Sequence, residues 1–122
     1  MAHFAELDAD NRVLRVLVLA DESCKDSEGN ESEAVGVAFM TNLLGGNWKQ
    51  CSFNNSIRRE YPSVGWEYVS QGDFFRPSRP YVQWLFDDET NRWVAPHPKP
   101  DDNLYDWDEE EGIWKPAESF SE

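Results

Sequence analysis

From His3 to Leu19 the chain reads HFAELDADNRVLRVLVL. Residues 3–7 alternate large with small or polar side chains, and residues 12–19 are rich in aliphatic and β-branched residues, the two patterns of a strand. Between them Asp8-Ala9-Asp10-Asn11 is a cluster of turn formers, so the two runs are expected to pair as an antiparallel hairpin. With Arg15 facing water, Leu14, Val16 and Val18 are predicted to share the buried face.

Working outward, residues 21–31 (DESCKDSEGNE) are polar and acidic and read as a loop. A helix is expected over 31–44. Asn30 and Glu33 have the spacing of a capping box. Val35, Ala38, Phe39 and Leu43 fall on one stripe, widened by Met40 and Leu44. Gly45-Gly46 stops it, since glycine accepts the left-handed conformation past a helix end. Residues 48–53 (WKQCSF) alternate again and predict a third strand. The helix stripe would cover one face of this small sheet, packing Val35, Phe39 and Leu43 onto Leu14, Val16 and Val18.

All seven prolines lie beyond residue 61, as do five of the six tryptophans. There the pattern repeats loosely: GWEYV, a turn, FFRP; YVQWLF, a turn, RWVAP; LYDW, a turn, IWKP. These read as three β-hairpins, with pairs such as Trp84–Trp93 and Trp107–Trp114 facing across each ladder. A lone hairpin is marginal in water, so the units must pack on something. The expected class is thus α+β: a small antiparallel sheet with one covering helix, then Trp-rich hairpins. The expected organisation is a strand-strand-helix-strand unit over 1–60 and tandem hairpins over 61–116, packed with it or appended to it. A flexible acidic tail is expected at 117–122.

The 122 residues carry 24 Asp and Glu against 11 Lys and Arg, a net charge of -13. That balance argues against nucleic acid and against an anionic membrane surface. Mean hydropathy is -0.74, yet 14% of residues are aromatic, which favours a folded chain over a disordered one. No run approaches the roughly 18 apolar residues of a membrane span. The opening MAHFAELDAD has neither the basic start nor the apolar stretch of a secretion signal, so export by that route is not expected. Cys24 and Cys51 lie far apart in unlike contexts and read as unpaired thiols.

The catalytic inventory is empty. No glycine-rich phosphate loop precedes a helix. The two histidines, His3 and His97, stand alone, and no Cys/His pair has metal-ligand spacing. Glu67, flanked by Trp66 and Tyr68, is the only tempting candidate for an acid/base carboxylate, and a strand residue between aromatics normally faces water. Asp106, Asp108 and Glu110 take positions 1, 3 and 5 of a calcium loop, but the glycine is Gly112, at position 7 rather than 6, and position 12 is Ala117. Residues 101–122 hold nine acids and one lysine, which reads as solvated charge guarding strand edges. No enzyme activity, cofactor or metal is expected.

What remains is aromatic. The bland reading makes the tryptophans core, since a small sheet with few aliphatics needs large rings. The functional reading leaves some exposed, with Trp93, Tyr105, Trp107 and Trp114 as the candidate interaction surface, because Trp and Tyr are enriched at binding hot spots.

The opening MAHFAELD, the segment SEAVGVAFMTNLLGGNWKQCSFN with the following IRREY, and the stretch from PYVQWLF to WVAPHPKP resemble a short protein of marine cyanophages, over residues 3–116. The resemblance implies a phage origin and a virion structural or accessory role, with no assigned catalytic residues. It would place the protein in the virion or in the cytoplasm of the infected cell. Two functions follow as expectations. The first is a non-enzymatic component of the particle that contacts other phage structural proteins or itself. The alternative is a carbohydrate-binding module that contacts host glycans through exposed Trp and Tyr.

Overall fold

A computed structural model describes residues 1–100 and 104–116; the tail expected at 117–122 lies outside them. The architecture is α+β, with one α-helix and small antiparallel sheets. The chain divides into two units, Met1–Ser78 and a second beginning at Arg79.

The first unit is built on a three-stranded sheet. Strands β1 (Ala2–Leu7) and β2 (Val13–Leu19) form the expected hairpin. Its turn is held by Asp8, whose Oδ1 accepts from the N–H groups of Asp10 and Arg12, and by Asn11 at φ 63°. A short 3₁₀ turn (Asp21–Cys24) and the helix α1 (Glu33–Leu44) lead to β3 (Asn47–Cys51), which pairs with the other edge of β1. The sheet order is therefore β2-β1-β3. The segment read as an acidic loop is more ordered than expected: Lys25 and Glu31 bridge, and Cys24 is fully buried.

The first of the three hairpins, β4 (Glu67–Val69) and β5 (Phe74–Arg76), belongs to this unit. The central strand consequently has a core on each face. On one side Ala2, Phe4, Leu19 and Trp48 meet Met40 of α1 and Cys24. On the other, Ala5, Leu7, Val13 and Cys51 meet Tyr68 and Phe75 of the hairpin. The two cysteines are free and buried, one in each core.

The helix packs through a different face from the one its apolar stripe predicts. Gly36 and Met40 are its buried residues, while Phe39 is 40% and Leu43 65% exposed. The reason lies at Gly36. A Cβ built there would stand 2.3 Å from Cζ of Phe4, so only glycine lets the helix backbone close onto that ring. Glu33, on the same side, is held by Arg58 at 2.8 Å. The cap also differs: Ser32, not Asn30, is the N-cap, its Oγ accepting from Val35 N–H at 3.3 Å. Gly45 ends the helix as expected, at φ 71°.

The sheet face assignment is corrected in the same way. Leu14, Val16 and Val18 lie on the side away from α1. Val16 packs partly into the second core, while Leu14 and Val18 are 49% and 52% exposed. Leu17 and Leu19 meet the helix-side core instead. The N-terminal end of β2 carries a bulge, with Glu6 opposite Arg15 and Leu7 opposite Val13.

In the second unit the other two hairpins form, β6 (Leu85–Asp87) with β7 (Arg92–Val94) and β8 (Tyr105–Asp108) with β9 (Ile113–Pro116). The Trp107–Trp114 pair is as predicted, in register and 5.3 Å between ring centroids. The Trp84–Trp93 pair is not. A turn closed by Trp84 N–H on Tyr81 C=O delays β6, so Phe86 stands opposite Trp93, 5.1 Å away.

Candidate functional site

The four aromatic candidates divide by environment. Trp107 is buried, at 7% exposure. Its indole meets Trp84 at 5.8 Å and Trp114 at 5.3 Å, with Tyr81 and His97 at 6.3 and 6.4 Å. Its Nε1–H donates to Gln83 Oε1 at 3.2 Å. These rings are the core of a unit that has few buried aliphatics. Trp93, Tyr105 and Trp114 are half-buried. Trp114 donates to His97 C=O at 2.8 Å, with the Lys99 ammonium over its ring at 5.3 Å, and the Arg79 guanidinium lies 4.5 Å from the Trp93 centroid. Trp93 lies on the β6–β7 hairpin with Phe86, while Tyr105 and Trp114 share the β8–β9 hairpin with Trp107.

The more open apolar surface is on α1. Of the stripe expected to be core, Ala38, Phe39 and Leu43 are exposed and Val35 is half-buried. Residues 34–48 contain no charged residue, in a chain where 29% of residues are charged. The single charge of α1, Glu33, is turned inward to Arg58. An uncharged helix face with large exposed side chains has the composition of an interface core rather than of a solvated surface.

A third feature is a hollow of about 370 Å3 beside the ends of β1 and β3, lined by His3, Gln50, Phe53, Asn54 and Ser56 among others. Phe53 is 74% exposed and stacks on His3, 6.0 Å between centroids, with Tyr61 edge-on to both. Ser52 Oγ meets Asn54 Oδ1 and Ser56 Oγ.

The strongest electrostatic constellation was not legible in the sequence. Arg58 donates from Nε to Asp73 Oδ1 at 2.7 Å, and from Nη1 to Glu33 Oε2 and to Gln50 C=O, both at 2.8 Å. Tyr68 Oη donates to the same Asp73 oxygen at 2.5 Å. One guanidinium thus ties α1, β3 and the β4–β5 turn together. Burial works against its charge, but the hydrogen bonds to Glu33 and Asp73 outweigh it and hold the group protonated more firmly than an ordinary arginine. Tyr68 and then Arg58 hold the Asp73 carboxyl below its usual range. Each charged side chain of this junction is bonded to another protein group, which makes it a structural tie. Burial pushes the Cys51 thiol up to about 12, which leaves it inert near neutral pH.

Two of the carboxylates considered for chemistry, Glu67 and Asp108, are occupied as well. Glu67 accepts from Arg76 Nε at 2.9 Å. Asp108 accepts from Glu111 N–H at 3.1 Å and pairs with Lys115 at 3.1 Å. Among the described residues no three His, Cys, Asp or Glu side chains gather as metal ligands.

No protein-family model, curated protein or solved structure matches this chain. The functional reading therefore stands on the sequence and the geometry.

Proposed function

We propose that this chain is a non-enzymatic phage protein, a small structural or accessory component of the virion that works through protein–protein contacts. The observation that carries the reading is the outer face of α1. Phe39 and Leu43 stand exposed on a helix whose other face is already packed, in a stretch with no charged residue from 34 to 48. Covering what is still exposed of these two side chains is worth about 1 kcal/mol for Phe39 and about 1–2 kcal/mol for Leu43. The half-buried Trp93, Tyr105 and Trp114 offer a second contact area. The net charge of -13 supports a partner that is neither nucleic acid nor membrane. The phage assignment rests on the sequence resemblance.

The test is mass spectrometry of purified particles, followed by particle incorporation of Leu43→Asp. The expectation is a stoichiometric component in the wild type, lost in a variant that still folds. Absence from particles, or unchanged incorporation of the variant, sinks the proposal.

A second reading, a carbohydrate-binding module, is favoured by the hollow around Phe53. An exposed ring beside Asn54, Ser56 and Gln50 suits a sugar that stacks on one face and hydrogen-bonds at its rim. Glycan-array binding that disappears in Phe53→Ala would support it over the first.

A further inference from the structure

The three-stranded sheet has two outer strands, β2 and β3, and they are finished differently. At β3 the Gln50 N–H donates to Glu33 Oε2 and the Gln50 C=O accepts from Arg58, both at 2.8 Å. Side chains thus occupy outward backbone groups of that strand. At β2 only the beginning is covered: Val13 N–H donates to Trp66 C=O, and Gly65 N–H to Val13 C=O, each at 2.8 Å. Antiparallel alternation along β2 turns the N–H and C=O of Val16 and Val18 outward as well. No backbone group among the described residues pairs with them. The side chains along this open edge are aliphatic, with Leu14 and Val18 about half exposed. Arg15 is the single charge from residue 13 to 20, and Glu6 holds it at 2.7 Å. Edges are ordinarily blunted by charge, proline or a bulge. Here the bulge lies near Val13, before the open part.

We propose that β2 is a self-pairing edge, on which a second copy of this chain docks its own β2 antiparallel about a two-fold axis through Leu17, giving one six-stranded sheet. The strand itself selects this occupant. With the axis at Leu17, Val16 stands opposite Val18 of the second copy, and the reverse. These are the residues whose amides point outward, so each such pair exchanges both hydrogen bonds. Arg15 falls opposite Leu19 of the second copy, which keeps the two arginines about 13 Å apart along the strands. Growth stops at two copies, because Gln50 on the far edge is occupied. Each copy carries -13, so repulsion opposes pairing and added salt relieves it. The inference stands on the sheet edge and does not rest on the helix-face reading above.

Sedimentation equilibrium of the full chain, from micromolar to submillimolar concentration in low and high salt, tests it. The mass should move from one chain towards two, at lower concentration in high salt. Val18→Pro removes an outward N–H that no ladder bond uses, so it should keep the wild-type melting temperature and weaken dimerisation at least about tenfold. Leu17→Cys lies on the axis, where a non-hydrogen-bonded pair brings Cα atoms to about 4.5 Å. It should give a disulfide-linked dimer on mild oxidation, while Asn42→Cys on the outer helix face should not. If Val18→Pro fails to fold, the Leu17→Cys cross-link decides. A wild type that stays monomeric throughout, or assembles beyond two copies, overturns the proposal. So does a folded Val18→Pro that dimerises like wild type, or a cross-link through Asn42 in place of Leu17.

Discussion

Replacing Gly36 by alanine sets two effects of opposite sign against each other. In a helix interior, glycine to alanine is worth about 1 kcal/mol in favour of the variant. At Gly36 the added Cβ would stand 2.3 Å from Cζ and 3.0 Å from Cε1 of Phe4, whose side chain is fully buried. Ordinary carbon contact begins at about 3.5 Å, so helix and ring must separate by about 1.2 Å. That separation would loosen Met40 and Trp48, which share the same core. Overpacking of this kind costs about 1–3 kcal/mol, with the upper part of the range expected for a ring that has no free space beside it. The net expectation is a loss of about 1–2 kcal/mol and a melting temperature lower by about 5–10 °C. Thermal and urea unfolding, followed by far-ultraviolet circular dichroism, give both numbers. Ala38→Gly, on the exposed side of the helix, is the control and should lose about 1 kcal/mol from propensity alone. A Gly36→Ala variant that melts several degrees above wild type would refute the packing of α1 on Phe4.

The same packing predicts that Phe39→Ala costs about 1 kcal/mol, because its ring is already part exposed, whereas Met40→Ala costs about 2–5 kcal/mol; paired denaturation curves would reverse the order if the apolar stripe were core. Arg58→Met should destabilise the protein near neutral pH by about 1–3 kcal/mol, since it takes the cation from two partly exposed carboxylates, Glu33 and Asp73. Asp73 has a lowered folded pKa, so its contribution is present above the ordinary carboxylate range and is lost as pH falls through the folded value; wild type should therefore lose more stability than Arg58→Met between pH 6 and acid, in urea titrations at stepped pH. Cys51 has a raised folded pKa, so the stability it contributes is present below about pH 8.5 and lost as pH rises towards 12; Cys51→Ala should flatten that alkaline decline, and a thiol reagent at pH 8 should label neither cysteine until denaturant is added.

Local chemistry made much of the fold legible. Alternation in 3–7 and 12–19 around Asp8 and Asn11 gives the first hairpin, because strand pattern and turn former sit within a few residues of each other. The same holds for the three later hairpins, and for Gly45 at the helix end. Which face of α1 is buried was not legible. Val35, Phe39 and Leu43 make the better apolar stripe, but the choice is made by Phe4 fitting Gly36 and by Arg58 reaching Glu33, both distant in sequence. Periodicity reports that a face is apolar, not what covers it. The Arg58 junction escaped notice for the same reason: nothing near Arg58 in sequence marks it, and its partners come from three separate elements. Among the candidate site residues, Trp107 turned inward because its hairpin needs a core of its own. In β6 a single turn at Tyr81 moved the register by enough to exchange Trp84 for Phe86.

The position of β1 has a consequence for how the protein comes apart. This strand is bonded along both edges and packed on both faces, so it cannot leave without dissolving two cores and two ladders together. Its amide protons have no local route to solvent. Those of Phe4 and Ala5 should exchange for deuterium only when the whole first unit opens, at a rate set by global stability. One strand away, the outward amides of Val16 and Val18 should exchange as fast as those of a loop, until something closes the sheet beside them.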